Sequence, residues 1–276
     1  MTLDWNRYGK AGVRLVKVRR QHEPHEIVDL TVDVQLEGAF ERVYTEGDNS
    51  QCLPTDTMKN TVYALARQDE IRHAEAFAER LADHFAKRPG VSRSTISVVE
   101  QPWSRVLVAG QPHPHAFLQP GGEQWTAVVV CDHEGTRVTA GLSNLVALKT
   151  SDSSFSGFPR YAYTTLSETN DRILATSITA SWRYRRGMSD FAVRDRIRES
   201  LIETFAAHVG HSVQHTLHAM GETALDVCAD VIDITLTLPN RHHVLVDLAP
   251  FGLDNPHEVF VPADRPYGLI EATISR

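Results

Sequence analysis

Polar side chains stand at three places where a scaffold of strands and helices does not require them. Lys10 lies at the entrance to the first predicted strand, Thr55 and Asp56 open a predicted helix, and Asn240–His242 form the short connection of the last predicted hairpin. Amine, hydroxyl and imidazole groups serve in general acid–base catalysis, so these residues are catalytic candidates. Each also has a structural interpretation: a solvated lysine, a helix N-cap, a turn asparagine and a half-buried strand histidine. Residue types alone leave both interpretations open.

Fourteen histidines raise the question of a bound metal. The densest places are His113-Pro-His115 and Arg241-His-His243. Successive strand residues point to opposite faces, so His242 and His243 cannot readily bind one ion together, whereas the i, i+2 spacing of His113 and His115 allows it. Because no carboxylate or cysteine cluster supports such a site, we expect no metal.

The composition narrows the class of protein. The chain has 276 residues, and 35 acidic against 28 basic side chains give a net charge of −7, which argues against nucleic acid or an anionic membrane as partner. The chain lacks the glycine-rich nucleotide motifs, His-Glu-x-x-His and Gly-x-Ser-x-Gly. Three cysteines are too few and odd in number for a disulfide framework, and no apolar run reaches membrane-span length. With no signal peptide at the start, we expect a cytoplasmic protein.

The hydrophobic pattern predicts the same order of elements twice. Alternating residues over 11–36 predict a β-hairpin, helical spacing from Thr55 and again over 71–85 predicts two helices, and strand-like segments follow at 94–100, 104–109 and 124–131. After a tight turn at Asp132–Gly135, strands, two helices and a closing hairpin of 232–238 with 244–248 repeat the order. The prediction is an α+β fold of two domains, 1–134 and 135–276, with antiparallel sheets backed by helix pairs.

Six separated blocks of the chain together resemble the urate oxidase (uricase) family, in the right order from residue 8 to the C-terminus. The blocks are Tyr8-Gly-Lys-Ala-Gly-Val-Arg-Leu-Val-Lys-Val18, Gly47-Asp-Asn with Pro54-Thr-Asp-Thr-Met-Lys-Asn-Thr-Val-Tyr63, Phe155-Ser-Gly-Phe-Pro-Arg160, Tyr163-Thr-Thr-Leu with Asp171-Arg-Ile-Leu174, Leu238-Pro-Asn-Arg-His242, and Asp264-Arg-Pro-Tyr-Gly-Leu-Ile270.

The resemblance implies a cofactor-free enzyme that oxidises urate with O₂ to 5-hydroxyisourate and H₂O₂. It implies two tunnelling-fold (T-fold) domains per subunit, a barrel-like homotetramer, and active sites at subunit interfaces, with Thr55 and Asp56 contributed by a neighbour. The family's proton relay falls on Lys10, Thr55 and His242. Without a Ser-Lys-Leu ending, a bacterial-type cytoplasmic enzyme is expected. The residues implied to hold the substrate are Thr55, Asp56, Phe155, Arg172, Val213, Gln214 and Asn240.

These implied roles fit the chemistry of urate, a planar purine anion. Arg172 can offer parallel donors while Gln214 pairs with a complementary edge, and Phe155 can stack on the ring. The alternative for Arg172 is a surface ion pair with Glu168 or Asp171. Gln214 can instead be a plain helix-face residue, and Phe155 a loop anchor.

Two further roles concern the substrate edge and O₂. The free amides at the helix start of Thr55 and Asp56 favour an anion. Asn240 is expected to donate its amide N–H to O₂, water or peroxide. Two other functions remain open: a T-fold cyclohydrolase or aldolase acting on pterins or purines with a metal or an anchoring glutamate, and a non-catalytic scaffold that binds a purine.

Overall fold

Two compact parts of the molecule are interleaved along the chain. The computed structural model describes residues 2–68 and 70–276, without the side chain of Asp264. The first unit comprises the chain up to Leu142 together with Trp182–Ala192, and the second comprises Ser143–Ser181 and Val193–Arg276. The division of the sequence repeat at residues 134 and 135 stays a prediction.

The order of elements follows the predicted duplication. Two strands, two helices and two strands occur, and then the same order occurs again; a short helix and a small hairpin are added in the first half. The elements are β1 (Tyr8–Arg19), β2 (Glu26–Gly38), α1 (Glu41–Thr45), α2 (Thr55–Gln68), α3 (Ala74–Ala86), β3 (Val91–Glu100), β4 (Ser104–Val108), β5 (Gln111–Leu118), β6 (Gln124–Asp132), β7 (Gly135–Lys149), β8 (Leu174–Tyr184), α4 (Val193–Ala207), α5 (Val213–Val227), β9 (Val231–Leu245) and β10 (Phe260–Ser275).

The first unit is an antiparallel sheet covered by helices. Its strands lie in the order β1-β2-β3-β6. Alternate residues of β2, from Leu30 to Leu36, are fully buried, as the period of two predicts. Helix α3 packs its apolar stripe, which includes Phe77, Leu81 and Phe85, against β3 and β6, and α2 packs against β1. The two predicted helices and the antiparallel sheet are confirmed.

A β-bulge in β1 sets the direction of Lys10. Lys10 lies opposite Val34, but Val13 lies opposite Val32, so two residues of β1 face one residue of β2. Gly12 occupies the bulge with φ of 67°, and its amide donates to Asp33 Oδ1 over 2.6 Å. Because directly opposed residues share a face, Lys10 lies on the same side of the sheet as the buried Val34. That is the side against which α2 packs.

The second unit repeats the pattern with β9, β10, α4 and α5. Helix α5 packs against both strands, and Leu217 and Met220 on α5 are buried. Strand β9 buries Ile234, Leu236 and Leu238 in alternation, and Asn240 continues that buried row.

The structure differs from the sequence prediction in two places. Asn240–His242 do not form a hairpin connection, because β9 runs unbroken to Leu245 and pairs with β10, and the irregularity falls on β10 between Ala263 and Gly268. Strand β5 was not predicted, because Pro112 and Pro114 interrupt its pattern; it pairs only with β4 in a two-stranded sheet, where proline is tolerated. No helix in the described part of the chain is long and apolar enough to span a bilayer.

Candidate active site

Lys10, Thr55 and Asp56 all lie in the first unit. Helix α2 begins at Thr55, and the amide of Met58 donates to the carbonyl of Pro54 over 3.2 Å, so Thr55 is the first helical residue rather than its N-cap. The first-turn amides of an α-helix have no carbonyl partner within the helix and carry its positive dipole end. Thr55 and Asp56 therefore present the anion-favouring end that the sequence predicts.

The Asp56 carboxylate is held along the helix. Lys59 Nζ and Asn60 Nδ2 donate to it over 2.5 and 3.0 Å. The hydrogen bond and charge of Lys59 lower the pKa of Asp56, and the charge of Lys10 lowers it further. The influence of Lys10 places its ammonium within electrostatic reach of the start of α2. With its carboxylate turned along the helix, Asp56 can serve an anionic ligand through its backbone amide.

Arg172 lies over the ring of Phe155 in the second unit. Its Cζ stands 5.3 Å from the centroid of the Phe155 ring, and burial lowers the pKa of its guanidinium. Among the described residues, its Nε is a buried donor without a hydrogen-bond partner. Arg172 does not form the alternative surface ion pair with Glu168 or Asp171. Glu168 accepts from the amide of Gly157 over 3.2 Å, and Asp171 accepts from Ser151 and from backbone amides.

Backbone pairing fixes the segment that carries Phe155. Phe155 and Thr169 exchange two hydrogen bonds of 2.9 and 3.0 Å, and the amide of Ser154 donates to the carbonyl of Gly210 over 2.8 Å. The bond from Ser154 to Gly210 joins this segment to the turn that leads into α5. Asp171 ties the loop further through Ser151 Oγ at 2.6 Å. Sequence reasoning missed these anchors, although a Ser/Asp-rich stretch is the composition from which such side-chain-to-backbone bonds form.

Val213 and Gln214 begin α5. Ser212 caps the helix by accepting from the amide of His215 over 3.0 Å. Val213 is buried, whereas Gln214 is exposed, so its carboxamide is available to a ligand. This start of α5 directly follows the turn that Ser154 contacts.

Asn240 and His242 lie on one face of β9. Asn240 is 9% exposed at the end of the buried row, and His242 is two residues further on the same face and exposed. They pair with Gly268 and Ala263 of β10, so the irregularity of β10 lies directly opposite them. Bulges adjacent to functional residues commonly redirect a side chain.

The predicted residues thus fall into two sets. The first unit carries Lys10, Thr55 and Asp56, and the second carries Phe155, Arg172, Val213, Gln214, Asn240 and His242. In the described chain, no group of three or more His, Cys, Asp or Glu side chains is arranged to hold a metal ion.

Comparison with known proteins places these features in one family. The family model described as Uricase matches residues 6–130 and 138–271. The uricase of Arthrobacter globiformis is 46% identical over 278 residues, which cover 100% of this chain and 90% of that protein. The uricase of Aspergillus flavus is 35% identical, with 98% and 95% covered. The crystal structure of the Arthrobacter globiformis uricase matches with a TM-score of 0.94 and 45% identity over 100% of this chain and 95% of that one.

The order of strands and helix pairs occurs twice, and one helix in each unit begins with predicted ligand-binding residues. This architecture is that of an antiparallel α+β enzyme of the T-fold class. The chain belongs to the uricase family.

Proposed function

We propose that this enzyme oxidises urate with O₂ and water to 5-hydroxyisourate and H₂O₂ through a proton relay of Lys10, Thr55 and His242. Urate oxidation is the activity of the family to which the chain belongs. The assignment of roles to individual residues is the proposal. The observation that supports urate as the substrate is the half-buried guanidinium of Arg172, whose Nε has no hydrogen-bond partner and which lies over an aromatic ring.

Arg172, Gln214 and Phe155 hold the purine. A planar anion laid against the Phe155 ring brings its edge to the guanidinium, whose fork matches a carbonyl and a ring nitrogen. Gln214 supplies both a donor and an acceptor, so it pairs with an edge that presents the complementary groups. Val213 adds apolar contact and a first-turn amide.

The helix start at Thr55 and Asp56 binds a further edge of the substrate. Backbone amides and the positive dipole end favour an anion there. The Asp56 carboxylate does not oppose this binding, because Lys59 and Asn60 hold it along the helix.

The relay makes urate a better electron donor. Triplet O₂ reacts slowly with closed-shell molecules, so removal of a second proton from the urate anion precedes electron transfer. Lys10 takes that proton through the Thr55 hydroxyl. Two electrons then pass from the urate dianion to O₂, two protons convert the reduced oxygen to H₂O₂, and a water oxygen adds at C5 as hydroxide. Asn240 donates to O₂, peroxide or water, and His242 exchanges the proton of that water.

The chain needs no cofactor in this scheme, because O₂ is the only oxidant and the dianion is the reductant. We propose a homotetramer around a central tunnel, with Thr55 and Asp56 contributed by a neighbouring subunit. Because α2 packs on β1 within one chain, the subunit that contributes Thr55 also contributes Lys10. The cytoplasmic location stays a prediction.

Single substitutions test the relay. Lys10→Met, Thr55→Ala and His242→Ala are each expected to lower kcat by about 10²–10⁴-fold, the usual contribution of a positioned acid or base. Urate binding, measured without O₂, is expected to stay within a few-fold for Lys10→Met, because Arg172 and Gln214 hold the ring. Unchanged turnover of Lys10→Met would show that the relay is wrongly assigned.

A further inference from the structure

Tyr8 joins the strand that carries Lys10 to the segment that leads into α2. The amide of Leu53 donates to Tyr8 Oη over 2.9 Å, and Leu53 lies two residues before Thr55. Tyr8 lies opposite Leu36 and Lys10 opposite Val34, so both side chains lie on one face of β1. One hydrogen bond therefore connects the positions two residues before each of the first-unit members of the relay.

The surroundings of Tyr8 hold this contact in one geometry. Its ring stands edge-on to the buried Phe40, with centroids 4.8 Å apart and an interplanar angle of 89°. Burial, together with the neighbouring Cys52, raises the pKa of Tyr8 to about 12, so the phenol stays protonated at neutral pH. A protonated hydroxyl accepts from Leu53 and still has its own proton to donate toward Cys52.

The lead-in segment has few other means of fixing its position. Pro54 has no amide hydrogen, and Leu53 gives its own to Tyr8. The phenol therefore helps to set the position of α2 along β1 at this end, together with the packing of the buried Met58. Proton transfer needs donor and acceptor within about 3.2 Å, so a small displacement of Thr55 relative to Lys10 interrupts it.

We infer that Tyr8 is a positioning residue, which sets the separation of Lys10 and Thr55 through its hydrogen bond to the Leu53 amide. This inference rests on the proposed relay. Tyr8 does not touch the substrate; it acts through Lys10 and Thr55, which transfer the proton.

Tyr8→Phe tests the inference, because it keeps the ring against Phe40 and removes only the hydroxyl. We expect kcat to fall on the order of ten-fold or more, with KM for urate within two-fold. We also expect the acid limb of the pH profile of kcat to shift, since the relay accepts its proton in an altered geometry. Site-specific 3-fluorotyrosine at position 8 retains the hydroxyl and should retain most of kcat.

Tyr44→Phe is the matched control. The Tyr44 hydroxyl also ties down the start of β1, by donating to the carbonyl of Arg7 over 3.1 Å, but it has no bond to the lead-in of α2. The Tyr44→Phe substitution should leave kcat and the pH profile unchanged even if thermal stability falls. Equal kinetic effects of the two variants, or a Tyr8→Phe enzyme with normal kcat and pH profile, would overturn the inference.

Lys10→Met, measured in parallel, separates the two proposals. If Lys10→Met is inactive and Tyr8→Phe is normal, only the positioning role is wrong. If Lys10→Met is fully active, the relay itself is wrong. If Tyr8→Phe does not fold, the fluorotyrosine enzyme decides, since a loss of kcat with the hydroxyl retained contradicts the inference.

Discussion

Arg172 shows how the surroundings of one residue indicate its ligand. A half-buried guanidinium loses hydration, which is unfavourable unless another group replaces the lost hydrogen bonds. In the described structure the nearby carboxylates of Glu168 and Asp171 bind backbone and serine groups instead. A bound anion would satisfy the buried Nε and the charge together. Urate has both the charge and the flat shape that fits beside Phe155.

Arg172→Lys is expected to weaken urate binding about 10- to 100-fold, measured by equilibrium binding without O₂. Lysine keeps the charge but loses the planar fork, so the loss reports bidentate recognition. Arg160→Lys is the control, since Arg160 lies over the Phe158 ring at 5.5 Å but is exposed. Equal affinity of wild type and Arg172→Lys would show that Arg172 does not bind the substrate edge.

At the residue scale, the sequence identifies catalytic types but not their partners. Lys10, Thr55 and His242 stand out because a scaffold does not require them, and the family resemblance is what assigns them one relay. Tyr8 gives no such signal, because a tyrosine at a strand start is ordinary. Its role depends on Leu53, which is 45 residues away. Contacts at that separation are set by packing and not by local pattern.

Among the secondary-structure elements, the close approach of β1 to β2 sets the position of Lys10. A Cβ added at Gly9 would lie 1.9 Å from the carbonyl oxygen of Val34, which is backbone and cannot move aside cheaply. The bulge that follows then directs Lys10 to the side of α2. The strand therefore depends on a glycine directly before the lysine.

Gly9→Ala is expected to lower the free energy of unfolding by about 1–3 kcal/mol, as overpacking does, and to reduce kcat by displacing Lys10. Denaturant unfolding and steady-state turnover measure the two effects. Gly268→Ala is the stability control, because its added Cβ would meet Ile270 Cδ1 at an ordinary 3.6 Å. A Gly9→Ala enzyme as stable as wild type would contradict the close packing of β1 on β2.

The turn between β6 and β7 contains a buried carboxylate, paired with partly exposed arginines, whose contribution to stability depends on pH. Asp132 has a side chain 1% exposed, and it binds Arg137 and Arg93. The hydrogen bond from Arg137 is the main cause that lowers the pKa of Asp132 from 3.8 to about 2. Since the folded pKa lies below the unfolded value, this stabilisation is present above about pH 4 and is lost as pH falls through about 2.

Asp132→Asn is expected to remove roughly 2 kcal/mol of stability at pH 7, and the difference from wild type should shrink toward pH 2. Urea unfolding at several pH values measures it. Asp83→Asn is the control, because Asp83 pairs with Lys87 on an exposed helix face and should change stability little. A difference that does not vary between pH 7 and pH 2 would contradict the assigned linkage.

The hydrophobic period predicts the order of elements because the four long helices and most strands follow it clearly. The exceptions are the short helix α1, the proline-interrupted β5, and the end of β9 with its partner β10. Pro239-Asn240 has the composition of a turn, and the prediction placed a hairpin there. The structure continues the strand, and the partner β10 takes up the irregularity between Ala263 and Gly268. Local composition cannot show which of two distant strands contains the bulge, although proline in a strand is typical beside one.

At the scale of the whole molecule, the predicted site residues divide between two units of the chain. Lys10, Thr55 and Asp56 belong to one unit and the residues proposed to hold the purine belong mainly to the other. The proposed assembly joins the first set of one subunit to the second set of its neighbour. An enzyme built in this way has a site that no single subunit completes.

Mixed oligomers test this arrangement. Thr55→Ala and Arg172→Ala proteins, each nearly inactive alone, should recover activity when they are unfolded together and refolded. Random assembly leaves about one quarter of the sites with both halves intact. Each variant taken separately through the same refolding is the control. No recovery in properly assembled mixtures would show that each site is formed within one chain.

The most direct measurement follows urate absorbance, O₂ consumption and H₂O₂ release together in metal-free purified protein. The enzyme is expected to consume one O₂ and release one H₂O₂ for each urate lost, without added metal or cofactor. Urate binding without turnover would indicate a purine-binding scaffold. Urate loss without O₂ uptake, or activity only with added zinc, would indicate hydrolytic or aldolase chemistry and contradict the oxidase account.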